Sequence, residues 1–401
     1  MVMISAFRLY FPRPVRPASP RLRTRFPTLF FAHPSASRLL ALGLILATFS
    51  SMMPRAVAAS KRVSNGQIIQ INGDVQLKRS YGSVTRPKVG TRIYPQDKLM
   101  AANGAQVVVQ CADLSSLSVE GAGEHRLDGC ASVTKKAQCT PGTYKCPSRP
   151  GSIALNNSSI PYIISPRRTN LLNPQPKLRW NPVPGATSYT VSIKGEGVDW
   201  KTKVSDTQIV YPGEQPLQPG GYYLLIVRAD TGASSTDEPI IPGGLGFSLL
   251  EATSAQQVRS QAAEIAQQPW TKQAKTLALV NLYLKYGLTF EAVEMLEDLV
   301  NGGVETAPIY NKVGELYLNF LALAPQAKTY YAQAVKLADS NDIEEQTVAQ
   351  EGLGQVQARF GNQDEAIRLL TMARDGYEAL GDTERVSQLE KQLRALISKG
   401  K

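Results

Sequence analysis

Four cysteines, a single histidine beyond residue 59 and a few adjacent acids are the side chains of this sequence with a capacity for chemistry. Cys111, Cys130, Cys139 and Cys146 are separated by 19, 9 and 7 residues. These spacings contain neither the C-x-x-C of a redox dithiol nor the close pairs that open a zinc site. An even count in an oxidising compartment reads instead as two disulfides, with three pairings open. Closure between sequence neighbours, Cys111 with Cys130 and Cys139 with Cys146, is geometrically easiest and stabilises by roughly 2–3 kcal/mol each. His125 follows Gly121-Ala122-Gly123-Glu124 in a hairpin-like stretch, and His33 lies in the leader described below. Multi-histidine metal sites are thereby excluded. The acid pairs Glu344-Glu345 and Asp364-Glu365 stand at expected helix starts, where negative charge complements the helix dipole. No G-x-x-x-x-G-K-[ST], G-x-S-x-G or H-E-x-x-H occurs, and Gly243-Gly244-Leu245-Gly246 reads as a hinge. The sequence predicts no catalytic residue, no metal and no cofactor.

The compartment that would oxidise those cysteines is indicated by residues 1–59, a leader with eight arginines and no acid. An apolar run at 39–49 precedes Pro54 and Ala56-Val57-Ala58-Ala59, the order of a basic region, a short apolar region and an Ala-x-Ala cleavage signal. Cleavage after Ala58 or Ala59 is expected. The apolar segment falls short of the roughly 20 residues needed to span a bilayer, so the leader contacts the membrane during export. A periplasmic or extracellular location follows. A membrane-anchored form and a plastid lumen are the alternatives, the latter because an Arg-rich, acid-free leader also describes a transit peptide. The +11 formal charge shrinks with the leader set aside, to 36 bases against 33 acids in residues 60–401. A nucleic-acid partner is not expected.

Behind the leader, residues 60–133 alternate with strand period around Gly, Asn and Asp turns, as in Gln67-Ile68-Ile69-Gln70-Ile71 and Ala105-Gln106-Val107-Val108-Val109-Gln110-Cys111. Gly73-Asp74-Val75, Val89-Gly90, Tyr94-Pro95-Gln96-Asp97-Lys98-Leu99, Asn103-Gly104-Ala105 and Cys111-Ala112-Asp113 together resemble a FecR-type β domain. The resemblance implies an extracytoplasmic small antiparallel β domain, often linked to envelope signalling or surface attachment. Gln96 and Leu114 stand where that family usually has Gly, the residue that takes positive φ at little cost. Residues 134–175, rich in Pro, Asn and Ser, read as a disulfide-stapled linker. In 176–250, Trp180-Asn181-Pro182-Val183-Pro184-Gly185-Ala186 and Pro219-Gly220-Gly221-Tyr222-Tyr223 look like a fibronectin type III or related immunoglobulin-like β-sandwich. That resemblance implies Trp180 in the core between two sheets.

From 251 to 401 the pattern becomes helical with a period near 34, the spacing of Tyr283 and Tyr317. Asn281-Leu282-Tyr283-Leu284-Lys285-Tyr286-Gly287 leads to Glu291-Ala292, Gly314-Glu315-Leu316-Tyr317 to Ala327, and Gly354-Gln355-Val356-Gln357 to Glu365-Ala366. This resembles tetratricopeptide repeats, with units at 273–306, 307–341 and 347–380, an extra turn at 339–346 and a final helix at 383–397. The Pro that usually ends each unit is missing, and Gln357 replaces Tyr. Ala262, Ile265 and Ala266 would cap one end of the stack, and Leu389, Leu393 and Leu396 the other. The resemblance implies an α-helical solenoid whose first helices line a concave groove, with Asn281, Lys285, Asn311, Glu315, Asn319, Glu351, Gln355 and Arg359 facing outward into it.

The expected protein is therefore a non-enzymatic, exported adaptor of the cell envelope that binds a protein or peptide ligand in the helical groove. The alternative uses the basic region 60–163, with 13 bases and 6 acids, to hold an anionic glycan or cell-wall polymer.

Overall fold

Strand-period alternation builds the first region. The computed structural model describes residues 62–130, 157–238 and 245–399, all of them in the unit Ala58–Lys401. The strands are β1 (Gly66–Asn72), β2 (Val75–Lys78), β3 (Val84–Thr85), β4 (Arg92–Ile93), β5 (Lys98–Ala101), β6 (Gln106–Cys111), β7 (Ser116–Glu120) and β8 (Gly123–Arg126). They form two antiparallel sheets, ordered β4-β1-β6-β7 and β3-β2-β5-β8. Ile68, Leu77, Ile93, Leu99, Val107 and Val109 are sealed in the core of this region. The disulfide Cys111–Cys130 closes the same core, with Cα atoms 5.1 Å apart; Cys139 and Cys146 lie outside the described residues. Gln96 and Leu114 hold left-handed φ values of 72° and 80°, so the turns keep the geometry of glycine without glycine. Asp97 makes the first possible by accepting from the Tyr94 amide at 3.0 Å, the Ser80 amide at 3.2 Å and Arg79 Nη1 at 2.9 Å.

The second region contains β9 (Ile163–Ser165), β10 (Thr169–Leu171), β11 (Lys177–Trp180), β12 (Tyr189–Gly195), β13 (Val198–Val204), β14 (Gln208–Val210), β15 (Tyr222–Ala229) and β16 (Phe247–Leu249). Sheets β10-β16-β15-β12-β13 and β14-β11-β9 make a sandwich. Trp180 is 1% exposed in its core, edge-on to Tyr189. The sandwich thus begins before Pro176 and recruits β9 and β10 from the segment read as linker. Both strands are only three residues long and separated by Pro166, which is why composition reads them as loop.

The helices are α1 (Ala252–Gln267), α2 (Lys272–Lys285), α3 (Thr289–Asn301), α4 (Ala307–Glu315), α5 (Ala324–Leu337), α6 (Ile343–Arg359), α7 (Gln363–Ala379) and α8 (Thr383–Lys399). Helices α2–α7 form three successive pairs, giving β regions followed by an α-helical solenoid. Small residues allow the close packing: Ala274, Ala278, Ala292, Ala327, Ala334, Ala349, Ala366 and Ala373 are fully buried. A Cβ on Gly352 would collide with the Tyr331 ring, so α5 and α6 need glycine there. The third pair starts at Ile343 rather than 347, because Asp342 caps α6 by accepting from the Glu345 amide at 3.3 Å. After α4 the chain makes a π turn at Leu316–Phe320. Ile265 and Ala262 pack against the cluster at one end of the array, and Leu389 and Leu393 are buried at the other.

Candidate functional site

The first β region meets the array at Asn281 of α2, at the N-terminal ends of α4 and α6, and at Asp382 just before α8. Of the positions assigned to the groove, Asn281 bonds to this region, Asn311 and Glu351 are taken up by bonds within the array, and Lys285 is exposed. Asn281 is half-buried, donating to Gln110 Oε1 at 2.8 Å and Gln67 Oε1 at 3.2 Å. Asn311 is fully buried and donates to the carbonyl and the carboxylate of Glu345 at 3.0 and 2.7 Å. Glu351 is buried too; it accepts from Tyr377 at 2.7 Å and Gln355 at 2.8 Å, and pairs with Arg385 at 2.6 Å. Glu315 is half-buried beside Lys312 at 3.3 Å. Burial pushes its carboxyl up, but Lys312, Arg92 and Arg385 outweigh this and hold it below the usual range. Arg359 donates to the Leu318 carbonyl at 3.4 Å, and burial lowers its guanidinium to about 10. Asn319 is half-buried at the π turn, and Lys285 is exposed.

The acids at the start of α6 do more than complement a dipole. Glu344 is 2% exposed; its carboxylate accepts from Tyr94 Oη and pairs with Arg62 Nη1, both at 2.5 Å. The Arg62 guanidinium lies 4.0 Å from the centre of the Tyr94 ring. Burial raises Glu344, yet Arg62, Arg79 and Arg92 together keep it below the usual carboxylate range. Its neighbour Glu345 goes the other way, to about 7, because burial outweighs the field of Arg92. Arg92, from β4, carries the opposing charge for Glu345, Glu315 and Glu344 and is held above its ordinary value by them despite burial. Around this charged centre, Thr306 donates to the Val89 carbonyl at 3.0 Å, Gly90 closes on Pro308 and Ile309, and the Thr271 amide donates to Gln70 at 2.9 Å. Ile69 and Val108 join the apolar cluster of the helices, where β1 packs on α2.

Sequence patterning contained a signal for this docking. Ile68-Ile69 and Val107-Val108-Val109 interrupt the alternation expected of a sheet with one wet face. A bulge between Ile68 and Gln70 assigns Ile68 to the β core and Ile69 to the helices.

A second junction fixes the sandwich to the array. Arg167 is fully buried and forms a bidentate pair with Glu238, both bonds 2.8 Å, while its Nε donates to the Leu321 carbonyl at 2.7 Å. It thereby satisfies backbone freed by the π turn. The Asn170 amide and side chain reach the carbonyls of Gly287 and Tyr286, and Glu297 accepts from Tyr317 and Tyr330, each at 2.7 Å. Nothing in the sequence alone pairs Arg167 with Glu238, which are 71 residues apart.

His125 sits on β8, its Nε2 3.0 Å from the Gly121 carbonyl. Among the described residues no group of three His, Cys, Asp or Glu is placed to hold a metal, and no helix is long and apolar enough to cross a membrane.

No protein-family model matches the sequence, and no curated protein matches it. Solved structures similar to it include MamA, at 20% identity over 36% of this chain and 88% of that chain, with a TM-score of 0.25. YrrB, a TPR protein with an unusual peptide-binding site, is 19% identical over 37% of this chain and 78% of its own, with a TM-score of 0.26. BtubC from P. vanneervenii is 16% identical over 37% and 73%, with a TM-score of 0.26.

Proposed function

We propose that this chain is an exported interaction protein of the cell envelope whose helical array binds a protein or peptide segment, while the FecR-like and sandwich regions hold and orient the array. The observation that carries this reading is that the array's inner face already receives polypeptide. The Glu344 carboxylate of α6 and the Asn281 amide of α2 take up side chains of another region of the chain. A rigid array bearing such groups is preorganised for recognition and loses little freedom on binding. The anionic-glycan alternative is weakened, because Arg62 and Arg79 of the basic region are committed to internal carboxylates.

The test is affinity capture from an envelope extract with residues 60–401, beside the same chain carrying Lys285→Glu and Gln355→Arg. A protein retained by the first and lost from the second supports the reading. Equal retention by both, or retention of glycan alone, sinks it. Substitutions are preferred to ending the chain at Leu250, since that would strip the cover from Arg167, Ile160 and Tyr162.

A further inference from the structure

We propose that this chain forms a twofold dimer in which β7 of one copy pairs antiparallel with β7 of a second copy, joining the two β4-β1-β6-β7 sheets into one. The inference lies outside the recognition reading and holds whether or not the helical array binds a partner.

β7 is the open end of its sheet, paired with β6 and with no other strand. At the turn between them the Cys111 amide donates to the Ser115 carbonyl at 2.8 Å, one step beyond the Gln110–Ser116 pair. Backbone direction alternates along a strand, so Leu117 and Val119 aim their N–H and C=O groups at β6, and those of Ser116, Ser118 and Glu120 point outward. Among the described residues no partner takes up these outward groups. The chain does not fold β8 back onto them. Gly121 and Gly123 hold φ values of 87° and 130°, and β8 joins the other sheet beside β5. A cleft lined by Leu117, Ser118, Val119 and Glu120 on one side and by His125 and Arg126 on the other separates the two strands.

The other sheet edges are blunted in the ways that prevent strand addition. β3 and β4 have two residues each, and β9, β10 and β14 have three. β8 carries Glu124 and Arg126, and β13 carries Asp199, Lys201 and Lys203. β7 is five residues long, without lysine or proline, and bears one charge at its end.

The sequence of β7 selects a second copy as the occupant. Antiparallel pairing centred on Ser118 sets Ser118 opposite the partner's Ser118 and Ser116 opposite the partner's Glu120, so every outward residue is paired. On the inner face Leu117, which is half-buried against Gly129, meets the partner's Val119 and gains cover. Any shifted register pairs fewer of the outward residues, and the one that pairs Glu120 with itself opposes like charges. The register with the most hydrogen bonds is therefore also the one that keeps the carboxylates apart.

The experiment is sedimentation velocity of residues 60–401 over about a hundredfold range of concentration, beside Ser118→Lys, Ser118→Pro and Ser118→Thr. The unaltered chain should pass reversibly from monomer to dimer, and the Lys and Pro variants should weaken that association by about tenfold or more. Lysine sets two positive charges together at the twofold axis, and proline deletes an outward N–H without removing a bond to β6. Ser118→Thr retains the donor and should dimerise like the unaltered chain. Hydrogen exchange needs no variant: raising the concentration should slow the amides of Ser116, Ser118 and Glu120 by about tenfold or more, while Leu117 and Val119 exchange slowly throughout. A chain that stays monomeric, a dimer indifferent to both Lys and Pro at 118, or amides at Ser116, Ser118 and Glu120 that ignore concentration overturns the proposal. The last outcome would mean an edge that is either always free or covered within one chain.

Discussion

Glu291 shows how a single buried group sets pH dependence. It lies in the first turn of α3, accepts from the Leu172 amide at 3.0 Å through Oε1, and has no protein partner on Oε2. Burial pushes its carboxyl up to about 7, against hydrogen bonds that lower it. The folded state therefore holds this proton more tightly than the unfolded chain. Its stabilising contribution is complete below the ordinary carboxyl range and is lost as pH rises through about 7. Glu291→Gln, which mimics the protonated form, should raise stability at pH 8 by about 1–2 kcal/mol and change little at pH 4. Urea unfolding at the two pH values checks this; equal effects would place the proton elsewhere. Gln96 and Leu114 give a second contrast at this scale. Both hold positive φ, but Gln96 is exposed while Leu114 packs against the cluster of Leu250, Val258 and Leu282. Gln96→Gly should stabilise by about 1 kcal/mol by relieving αL strain. Leu114→Gly should not, because lost packing offsets the relief, and thermal unfolding of the two variants separates the cases.

At the scale of elements, helix existence and pairing were legible, because the period near 34 and the small buried residues have one economical solution. Pair boundaries were less so: Glu344-Glu345 suggested a helix start, but the Asp342 cap that makes Ile343 the first residue of α6 is a local geometry. Helix spacing itself is decided by glycine. Gly352→Ala sets a Cβ against the Tyr331 ring, and Gly314 faces the same ring. The substitution should cost about 1–3 kcal/mol through overpacking, despite alanine's better helix propensity. Denaturant unfolding reads the sign directly: a gain in stability would show that α5 and α6 can separate without cost.

For the whole molecule, the two junctions of the helical array differ in kind. The sandwich is joined through Arg167 and Glu238, both fully desolvated and mutually satisfied. Arg167→Met removes the guanidinium from a buried carboxylate and should destabilise by roughly 3–5 kcal/mol. Arg167→Met with Glu238→Leu should recover much of that loss, since the cost lies in the uncompensated charge. Chemical denaturation of both variants tests this, and equal losses would assign the cost to packing. The seam with the first β region rests instead on the Arg62–Glu344 pair beneath the Tyr94 ring and on Ile69 and Val108 in the helical cluster.

The sequence by itself determined the succession of β regions and helical repeats, because periodicity and turn residues are local properties. It also contained Ile68-Ile69 and Val107-Val108-Val109, whose broken alternation marks a sheet covered on both faces. Tertiary structure alone decided that Asn311 and Glu351 are consumed inside the array, that Glu344 receives Arg62 and Tyr94, and that β9 and β10 belong to the sandwich. The physical reason is separation along the chain. Arg62 and Glu344 lie 282 residues apart, and no local pattern tells an exposed helix-start acid from one that waits for an arginine.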